Sequence, residues 1–188
     1  MTRTSSKSSA SPSRPPAIGE AWLSSSPAAT QSLAARLARR LKAGDCVALY
    51  GELGAGKTQF VRGLVRGLGG AARSVCSPTF VLLNVYPTPR MNVYHLDAYR
   101  ISGEADFEAI GFTELLEQGG LVVVEWAQRV ESLLPPRRVD VRMEVVSARR
   151  RRIELTQQPC RQDGRRGKLR QRIGWSGTWR HFGRPSYE

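Results

Sequence analysis

The sequence predicts an α/β fold with a mostly parallel central sheet, helices on both faces of that sheet and an antiparallel edge. Short apolar runs alternate with segments of helical periodicity through the middle of the chain, which is the pattern of an α/β protein. The runs 46–50 and 121–124 are almost wholly apolar, as expected of parallel strands covered on both faces. Near the end, 139–145 alternates apolar and charged residues and 153–156 follows it. This pattern indicates an antiparallel hairpin in which the charged side chains of 139–145 are exposed.

A glycine-rich motif follows the run 46–50. Residues 51–58 are Gly-Glu-Leu-Gly-Ala-Gly-Lys-Thr, which matches the phosphate-binding pattern G-x-x-x-x-G-K-[ST]. Three of these residues lack a Cβ atom, so the backbone can curl and point successive N–H groups inward. They are Gly51, Gly54 and Gly56. Together with the start of the next helix, those N–H groups form a predicted cradle for di- and triphosphates.

Lys57 and Thr58 complete the motif. The Lys57 ammonium can reach the β- and γ-phosphates, and the Thr58 hydroxyl can ligate Mg²⁺. A predicted strand precedes the motif, and apolar residues at helical spacing follow it as far as Gly69-Gly70. These are the two neighbouring elements that a P-loop requires. The predicted fold is therefore P-loop NTPase-like.

The remaining elements follow from local signals. Ser26-Pro27 predicts a helix start, with Ser at the N-cap and Pro in the first turn. Further strands are predicted over 80–86 and 91–97, separated by a proline-rich turn. A helix is predicted over 104–118, and Gly111 divides it.

Two acidic residues end predicted strands. Glu125 follows the most hydrophobic run of the chain, as the acid of a Walker B strand does. The strand end places its carboxylate beside the phosphate site, where it can hold Mg²⁺ directly or through water. Asp97 can orient the attacking water or support the metal, and His95 lies on the same face of its strand. For His95 a hydrogen-bonded structural role is favoured over metal ligation, and Tyr99 is predicted to lie in the core.

Two other segments leave alternatives open. Ser77-Pro78-Thr79-Phe80 forms a turn that enters a strand. This turn is either a switch that senses the γ-phosphate or an ordinary X-Pro turn. Trp126, directly after Glu125, either stacks near the nucleotide or packs in the core.

The net charge of +13 is concentrated near the end of the chain, where residues 149–188 hold twelve Lys or Arg and three acids. This stretch either binds RNA through counterion release or is a solvated extension, and the solvated extension is favoured. Residues 1–20 predict a disordered leader rich in Ser and Pro, and residues 21–157 a P-loop ATPase domain. Residues 158–188 predict a basic, disordered tail.

The cellular compartment is predicted from two further observations. No apolar stretch approaches the roughly 18–20 residues that span a bilayer, so no membrane association is expected. The three cysteines, Cys46, Cys76 and Cys160, form no C-x-x-C pair and are odd in number. They argue against a disulfide framework or structural zinc and favour a reducing cytoplasm.

Four motifs together resemble the TsaE (YjeE) family, the small ATPases of bacterial tRNA threonylcarbamoyladenosine synthesis. They are the P-loop at 51–58, Ser-Pro-Thr-Phe at 77–80, the H-x-D-x-Y-R motif at 95–100 and Val-Glu-Trp at 124–126. Their order and spacing fit the family, and the combination is far more specific than a P-loop alone. The resemblance covers roughly residues 26–156. Gln59 departs from the family, which usually has a second Thr there, and the tail from Gln157 has no counterpart in short members.

The resemblance implies a cytoplasmic ATPase that acts with TsaB-like and TsaD-like proteins and resets their complex between turnovers. ATP and Mg²⁺ are the implied ligands. Lys57, Asp97 and Glu125 are the implied catalytic residues, and Thr58 and Glu125 the implied metal ligands. The implied nucleotide contacts extend to the first helix and the late hairpin: Ser26, Gly54, Ala55, Gly56, Lys57, Thr58, Gln59 and Arg149.

Two other functions remain open at the level of sequence. One is a small-molecule P-loop kinase that uses 149–152 as a mobile lid. The other is a nucleotide-gated RNA-binding module that contacts tRNA through the basic tail. No arginine finger is evident in the sequence, so slow intrinsic hydrolysis is expected for the ATPase.

Overall fold

The computed structural model describes residues 19–78, 82–101 and 103–158. Seven strands lie within these ranges: β1 (Ala21–Ser24), β2 (Cys46–Tyr50), β3 (Leu83–Tyr86), β4 (Val93–Asp97), β5 (Leu121–Glu125), β6 (Val139–Val145) and β7 (Arg151–Gln157). Four α-helices lie there too: α1 (Pro27–Ala38), α2 (Lys57–Gly67), α3 (Glu104–Ala109) and α4 (Phe112–Glu117). The predicted leader up to residue 18, the second half of the 77–80 turn and the predicted basic tail from residue 159 lie outside the described residues.

The seven strands form one sheet in the order β1-β7-β6-β2-β5-β4-β3. Four adjacent strands, β6, β2, β5 and β4, run parallel to one another. β2 lies at the centre of the sheet and pairs with β5 and β6, so the strand that leads into the glycine-rich motif is buried along its whole length. The predicted parallel centre of the sheet is confirmed.

The two edges of the sheet are antiparallel. β7 pairs with β6 as the predicted hairpin, and β1 extends that edge by pairing with β7. At the opposite edge β3 runs antiparallel to β4. Only one antiparallel edge was predicted, and β1 was not, because four residues with a single buried side chain carry almost no periodic signal.

Helices cover both faces of the sheet, as predicted. Helices α1 and α2 pack on one face, where Phe60 and Leu64 join a core cluster with Val47 and Val123. Helices α3 and α4 cover the other face, with Phe112 among their core residues. Gly111 separates α3 from α4 in the left-handed conformation, with φ of 72°, which glycine adopts without a steric penalty.

The start of α1 is fixed by its cap and by close packing on α2. The Ser26 side chain accepts a hydrogen bond from the N–H of Ala29 at 3.1 Å, and Pro27 begins the helix, as predicted. Gly63 of α2 lies against α1 so closely that a Cβ atom there would be 2.6 Å from Cβ of Ala34. This contact holds α1 against α2, the helix that follows the glycine-rich motif.

One prediction about β6 is wrong. Arg142 and Glu144 are exposed, as the alternation predicted, but Asp140 is fully buried. Its carboxylate accepts hydrogen bonds from Arg138 Nε at 2.7 Å and Gln158 Nε2 at 2.8 Å. A buried carboxylate is tolerated when it is paired in this way, and the pairing partners could not be located from the alternation alone.

Among the described residues, no helix is long and apolar enough to cross a membrane.

Candidate nucleotide-binding site

The glycine-rich motif forms the loop between β2 and α2. Its three glycines have φ of 144°, 79° and 98° at Gly51, Gly54 and Gly56, a range that other residues rarely adopt. Gly56 precedes the first residue of α2 and supplies no side-chain cap. The loop therefore has the curled backbone that the motif predicted, directly before a helix N-terminus.

Lys57 folds back over this loop. Its Nζ donates hydrogen bonds to the carbonyl oxygens of Gly51 at 2.8 Å and Glu52 at 3.0 Å. The same ammonium lies 3.8 Å from the centre of the Trp126 ring, within the range of a cation–π contact. Burial lowers the pKa of Lys57, and the carboxylates of Glu125 and Asp97 oppose that shift.

Thr58, at the start of α2, contacts Glu125, at the end of β5. The Thr58 hydroxyl donates to Oε1 of Glu125 at 2.9 Å, and His95 Nε2 lies 3.0 Å from the same oxygen. Glu125 and His95 are both buried. The hydrogen-bonded role that was favoured for His95 agrees with this contact.

Strand alternation explains how the three polar strand residues come together. In β4 and β5 every second side chain faces α2, and Val93 and Val123 belong to the core cluster on that face. His95, Asp97 and Glu125 continue the same two rows. Asp97 and Glu125 are also direct neighbours in the strand pairing, so both acids lie at the end of the sheet where α2 begins.

Asp97 ends β4 and also organises the chain that follows. Its Oδ1 accepts a hydrogen bond from the N–H of Tyr99 at 2.8 Å, which caps a short 3₁₀ turn. Its Oδ2 lies 3.5 Å from the Ser77 hydroxyl, so the start of the predicted switch reaches the acid. Thr79 and Phe80, which complete that motif, lie outside the described residues.

Trp126 and Tyr99 flank Lys57 at the rim of the site. Trp126 packs partly against the core cluster on the face covered by α3 and α4, and it also lines the cavity beside Lys57. It therefore contributes to the core, and its stacking near a nucleotide stays a prediction. Tyr99 is 48% exposed and its ring lies 5.0 Å from that of Trp126. The predicted core position of Tyr99 is therefore wrong, because the 3₁₀ turn after Asp97 directs the side chain outward.

Two adjoining cavities surround the loop. The first, about 470 Å³, is lined by residues from the start of α1, the loop and the β6–β7 turn, among them Ser26, Pro27, Gln59 and Arg149. The second, about 640 Å³, is lined by Lys57, Thr58, Ser77, Tyr99, Glu125 and Trp126, among others. Both include Gly54, Gly56 and Gln59. These volumes are typical of small-ligand sites.

Most of the predicted site residues are thus placed around one connected space. Ser26 and Arg149 belong to the first cavity, Lys57, Thr58 and Glu125 to the second, and Gly54, Gly56 and Gln59 to both. Ala55 differs, since it is fully buried and its N–H bonds to the carbonyl of Glu52 at 3.2 Å. Asp97 is buried next to Glu125 in the sheet and contacts Ser77, which lines the second cavity.

Two contacts of the site were not predicted. The guanidinium of Arg151 donates to the Gly54 carbonyl at 3.1 Å and to the Ser147 carbonyl at 2.9 Å, which ties the β6–β7 turn to the loop. Gln31 Nε2 donates to Oε1 of Gln59 at 2.8 Å, which ties α1 to the start of α2. Neither contact has a sequence signature, because each joins distant segments through single polar side chains.

The side-chain oxygens of the site are suited to a Mg²⁺ ion that is also held by substrate and water. They are not suited to a metal ion held by protein side chains alone. The described residues contain no cluster of three or more His, Cys, Asp or Glu that could hold a metal ion. Thr58 and Glu125 instead bring one hydroxyl and one carboxylate together. Mg²⁺ is usually held by one or two carboxylates together with substrate phosphates and water, so this pair fits the predicted metal.

The fold and the loop together define a P-loop nucleotide-binding protein: a parallel strand, a glycine-rich turn and a helix, with a strand-end acid facing the helix start. The chain belongs to the TsaE family. Residues 24–153 match the sequence model of the family described as "Threonylcarbamoyl adenosine biosynthesis protein TsaE". The predicted resemblance is confirmed by this match.

Individual relatives agree with the family assignment. Two proteins named "tRNA threonylcarbamoyladenosine biosynthesis protein TsaE", from Rickettsia prowazekii and Bacillus subtilis, are 39% and 36% identical to the chain. These matches cover 65% and 72% of the chain and 84% of each relative. The crystal structure of YdiB from Bacillus subtilis is similar at a TM-score of 0.61 and 29% identity, over 74% of this chain and 86% of YdiB. This similarity confirms the predicted fold class.

Proposed function

We propose that the chain is a Mg²⁺-dependent ATPase that supports formation of N6-threonylcarbamoyladenosine in tRNA, at the adenosine beside the anticodon. In this proposal ATP hydrolysis drives turnover of a complex of TsaB-like and TsaD-like proteins in the cytoplasm. The observation that carries it is the 2.9 Å contact of Thr58 with Glu125 beside the buried Lys57. The family description and the names of the relatives support the tRNA modification. The partner proteins come from the resemblance described above.

Each catalytic group has a task that follows from its position. Lys57 exchanges its two carbonyl acceptors for phosphate oxygens when nucleotide binds, because charge-assisted hydrogen bonds to phosphate are the stronger ones. Thr58 and Glu125 would hold Mg²⁺ through their side-chain oxygens, and the bound ion would supply positive charge that stabilises the transferring phosphate. Asp97 accepts a hydrogen bond from the attacking water and orients it toward the γ-phosphate.

The first cavity is proposed to hold the adenosine. It adjoins the phosphate side through Gly54, Gly56 and Gln59, so one nucleotide can occupy both cavities. Ser26 and Arg149 lie on its walls. Gln59 lies between the two spaces and is suited to contact the α-phosphate.

Slow intrinsic hydrolysis is part of the proposal. Among the described residues that line the phosphate-side cavity, Lys57 is the sole cation, whereas fast P-loop NTPases add an arginine to the transition state. Hydrolysis therefore depends on the partner complex, which either contributes a positive charge or reorders the site.

The test is release of phosphate from ATP by the purified protein, alone and with the TsaB-like and TsaD-like proteins of the same organism. We expect ADP and phosphate as products, and a faster rate with the partners. Lys57→Met should reduce the rate at least about 100-fold. Lys42→Met is the matched control, since Lys42 is an exposed lysine outside both cavities, and it should keep the wild-type rate.

Two results would contradict the proposal. ATP hydrolysis at the wild-type rate by the Lys57→Met protein would show that the P-loop takes no part in the reaction. Transfer of the γ-phosphate to a metabolite instead of water, detected as a new phosphorylated product, would favour the small-molecule kinase.

A further inference from the structure

His95 is a buried polar residue that the mechanism above does not use. Its side chain is fully buried, and its Nε2 lies 3.0 Å from Oε1 of Glu125. The strand pairing beside Val123 fixes its backbone. Its ring centre lies 6.0 Å from that of Tyr86 on the neighbouring strand.

The hydrogen-bond network assigns the tautomer of His95. The other ring nitrogen, Nδ1, is buried and has no hydrogen-bond partner among the described residues. A proton on Nδ1 alone would leave an unsatisfied donor there and would point the lone pair of Nε2 at a carboxylate oxygen. A buried donor without a partner is costly, so the proton belongs on Nε2, which donates to Glu125.

Oε1 of Glu125 therefore receives two hydrogen bonds. Thr58 donates to it from the start of α2 at 2.9 Å, and His95 donates from β4 at 3.0 Å. One carboxylate oxygen has room for about two donors. Oε1 is thus fully engaged, and Oε2 is the oxygen left to accept a further ligand.

The same arrangement orients Thr58. Because its hydroxyl proton is directed to Glu125, the lone pairs of its oxygen are available on the other side. A hydroxyl can donate one hydrogen bond and still act as an acceptor or a metal ligand.

We propose that His95 is a positioning residue: its Nε2–H holds Glu125 by Oε1, so that Oε2 and the Thr58 oxygen are both presented to the metal of a bound Mg²⁺–nucleotide. This inference rests on the proposed function, because that function supplies the ligand. His95 itself touches neither nucleotide nor metal. Partners that orient a metal ligand in this way commonly contribute 10- to 100-fold, roughly, to metal affinity.

The experiment measures the affinity for ADP with Mg²⁺ and with EDTA in three proteins. The ratio of the two dissociation constants gives the contribution of the metal, and no turnover is needed. In His95→Leu, which lacks the donor, we expect that ratio to fall at least about tenfold while the affinity in EDTA stays unchanged. His95→Gln can place an amide donor at a similar distance, so it should restore most of the ratio.

The results separate this inference from the proposed function. If the wild-type protein binds ADP no better with Mg²⁺ than with EDTA, both the proposed function and this inference are wrong. If the wild-type ratio is large and His95→Leu keeps it, the positioning role alone is wrong. A low ratio in both His95→Leu and His95→Gln would also contradict the positioning role, since an amide donor at this position would then fail to restore the contribution of the metal.

A measurement on the unsubstituted residue covers the case in which His95→Leu does not fold. The chain has two histidines, so a His181→Gln protein labelled with ¹⁵N gives imidazole signals from His95 alone. We expect the proton on Nε2, and a shift of the Nε2 resonance when Mg²⁺ is added to the ADP complex. A proton on Nδ1, or an Nε2 resonance that ignores Mg²⁺, would overturn the inference.

Discussion

The Thr58 hydroxyl and Oε1 of Glu125 lie 2.9 Å apart although 67 positions separate them in the chain. The parallel pairing of β2 with β5 is the reason, because it places Leu49, just before the P-loop, opposite Glu125. The end of β5 and the start of α2 therefore meet at the same edge of the sheet. Ligands of open α/β sheets bind at that edge.

The two functions of Asp97 can be separated by substitution. Asp97→Asn keeps an oxygen that can accept the Tyr99 N–H, now made at 2.8 Å, but it removes the negative charge. We expect hydrolysis to fall about 100-fold with little change in ADP affinity. Asp97→Ala also removes the cap and should lower the free energy of unfolding by about 1 kcal/mol more. Phosphate release and urea unfolding test both statements, and a fully active Asp97→Asn protein would exclude Asp97 as the group that orients water.

Arg151 provides a test of the link between the β6–β7 turn and the P-loop. Arg151→Gln removes the bonds of its guanidinium to the Gly54 and Ser147 carbonyls. A hydrogen bond of this kind is worth about 1 kcal/mol, so the dissociation constant for ADP should rise roughly three- to tenfold.

The neighbouring Arg152 is the matched control for that substitution. Its side chain is exposed and lines neither of the two nucleotide cavities, and Arg152→Gln changes the charge equally. Equal weakening of ADP binding by both substitutions would show that net charge matters, rather than the contact with Gly54.

Close packing of α1 on α2 predicts a stability effect at Gly63. A Cβ atom at this position would lie 2.6 Å from Cβ of Ala34, so α1 has to move. We expect Gly63→Ala to lower the free energy of unfolding by about 1–2 kcal/mol, since overpacking outweighs the gain in helix propensity. Gly103, the N-cap residue of α3, has no atom within 4 Å of an added Cβ, so Gly103→Ala adds no overpacking and should cost less, about 0.5 kcal/mol from the weaker cap. Urea titration compares the two, and an unchanged Gly63→Ala protein would mean that the helix contact adapts without cost.

Because of Cys46, the free energy of unfolding is expected to depend on pH in the alkaline range. Burial raises the pKa of its thiol from 9.0 to about 12 in the folded protein. The stability that this provides is complete below pH 9 and is lost as the pH rises from 9 toward 12, because only the unfolded chain releases the proton there. The loss approaches about 1.4 kcal/mol per pH unit.

Cys46→Ala removes this dependence while leaving every other titrating group in place. The free energy of unfolding of both proteins is measured in urea between about pH 8 and pH 10.5. It should fall with pH more steeply for the wild type than for Cys46→Ala, by up to about 1.4 kcal/mol per pH unit. Parallel curves for the two proteins would mean that the Cys46 thiol ionises as readily in the folded state as in the unfolded chain.

The sequence predicted the parts of the fold that have strong local signals. The apolar runs at 46–50 and 121–124 gave β2 and β5, and the glycines of the loop gave the turn between β2 and α2. β1 was missed because it is short, with a single buried side chain, and because its partner β7 lies more than a hundred residues away. Asp140 was misassigned because burial of an acid depends on tertiary partners, here Arg138 and Gln158.

The candidate site was predictable for a different reason. The strand before a P-loop and a parallel neighbouring strand end at the same edge of the sheet. An acid at the end of that neighbouring strand, here Glu125, therefore lies close to the P-loop lysine, here Lys57. Arg151 and Gln31 were not predictable, since their roles arise from the distance between elements and not from any spacing. The position of Tyr99 depends on a single turn after Asp97, and residue type alone favoured the core.

Calorimetric titration of the purified protein with ADP and ATP, with and without Mg²⁺, tests most directly whether this loop and Glu125 hold a Mg²⁺–nucleotide. We expect one nucleotide per chain, bound more tightly when Mg²⁺ is present, and loss of that difference in Glu125→Gln. Absence of binding at every Mg²⁺ concentration, with or without the partner proteins, would contradict it.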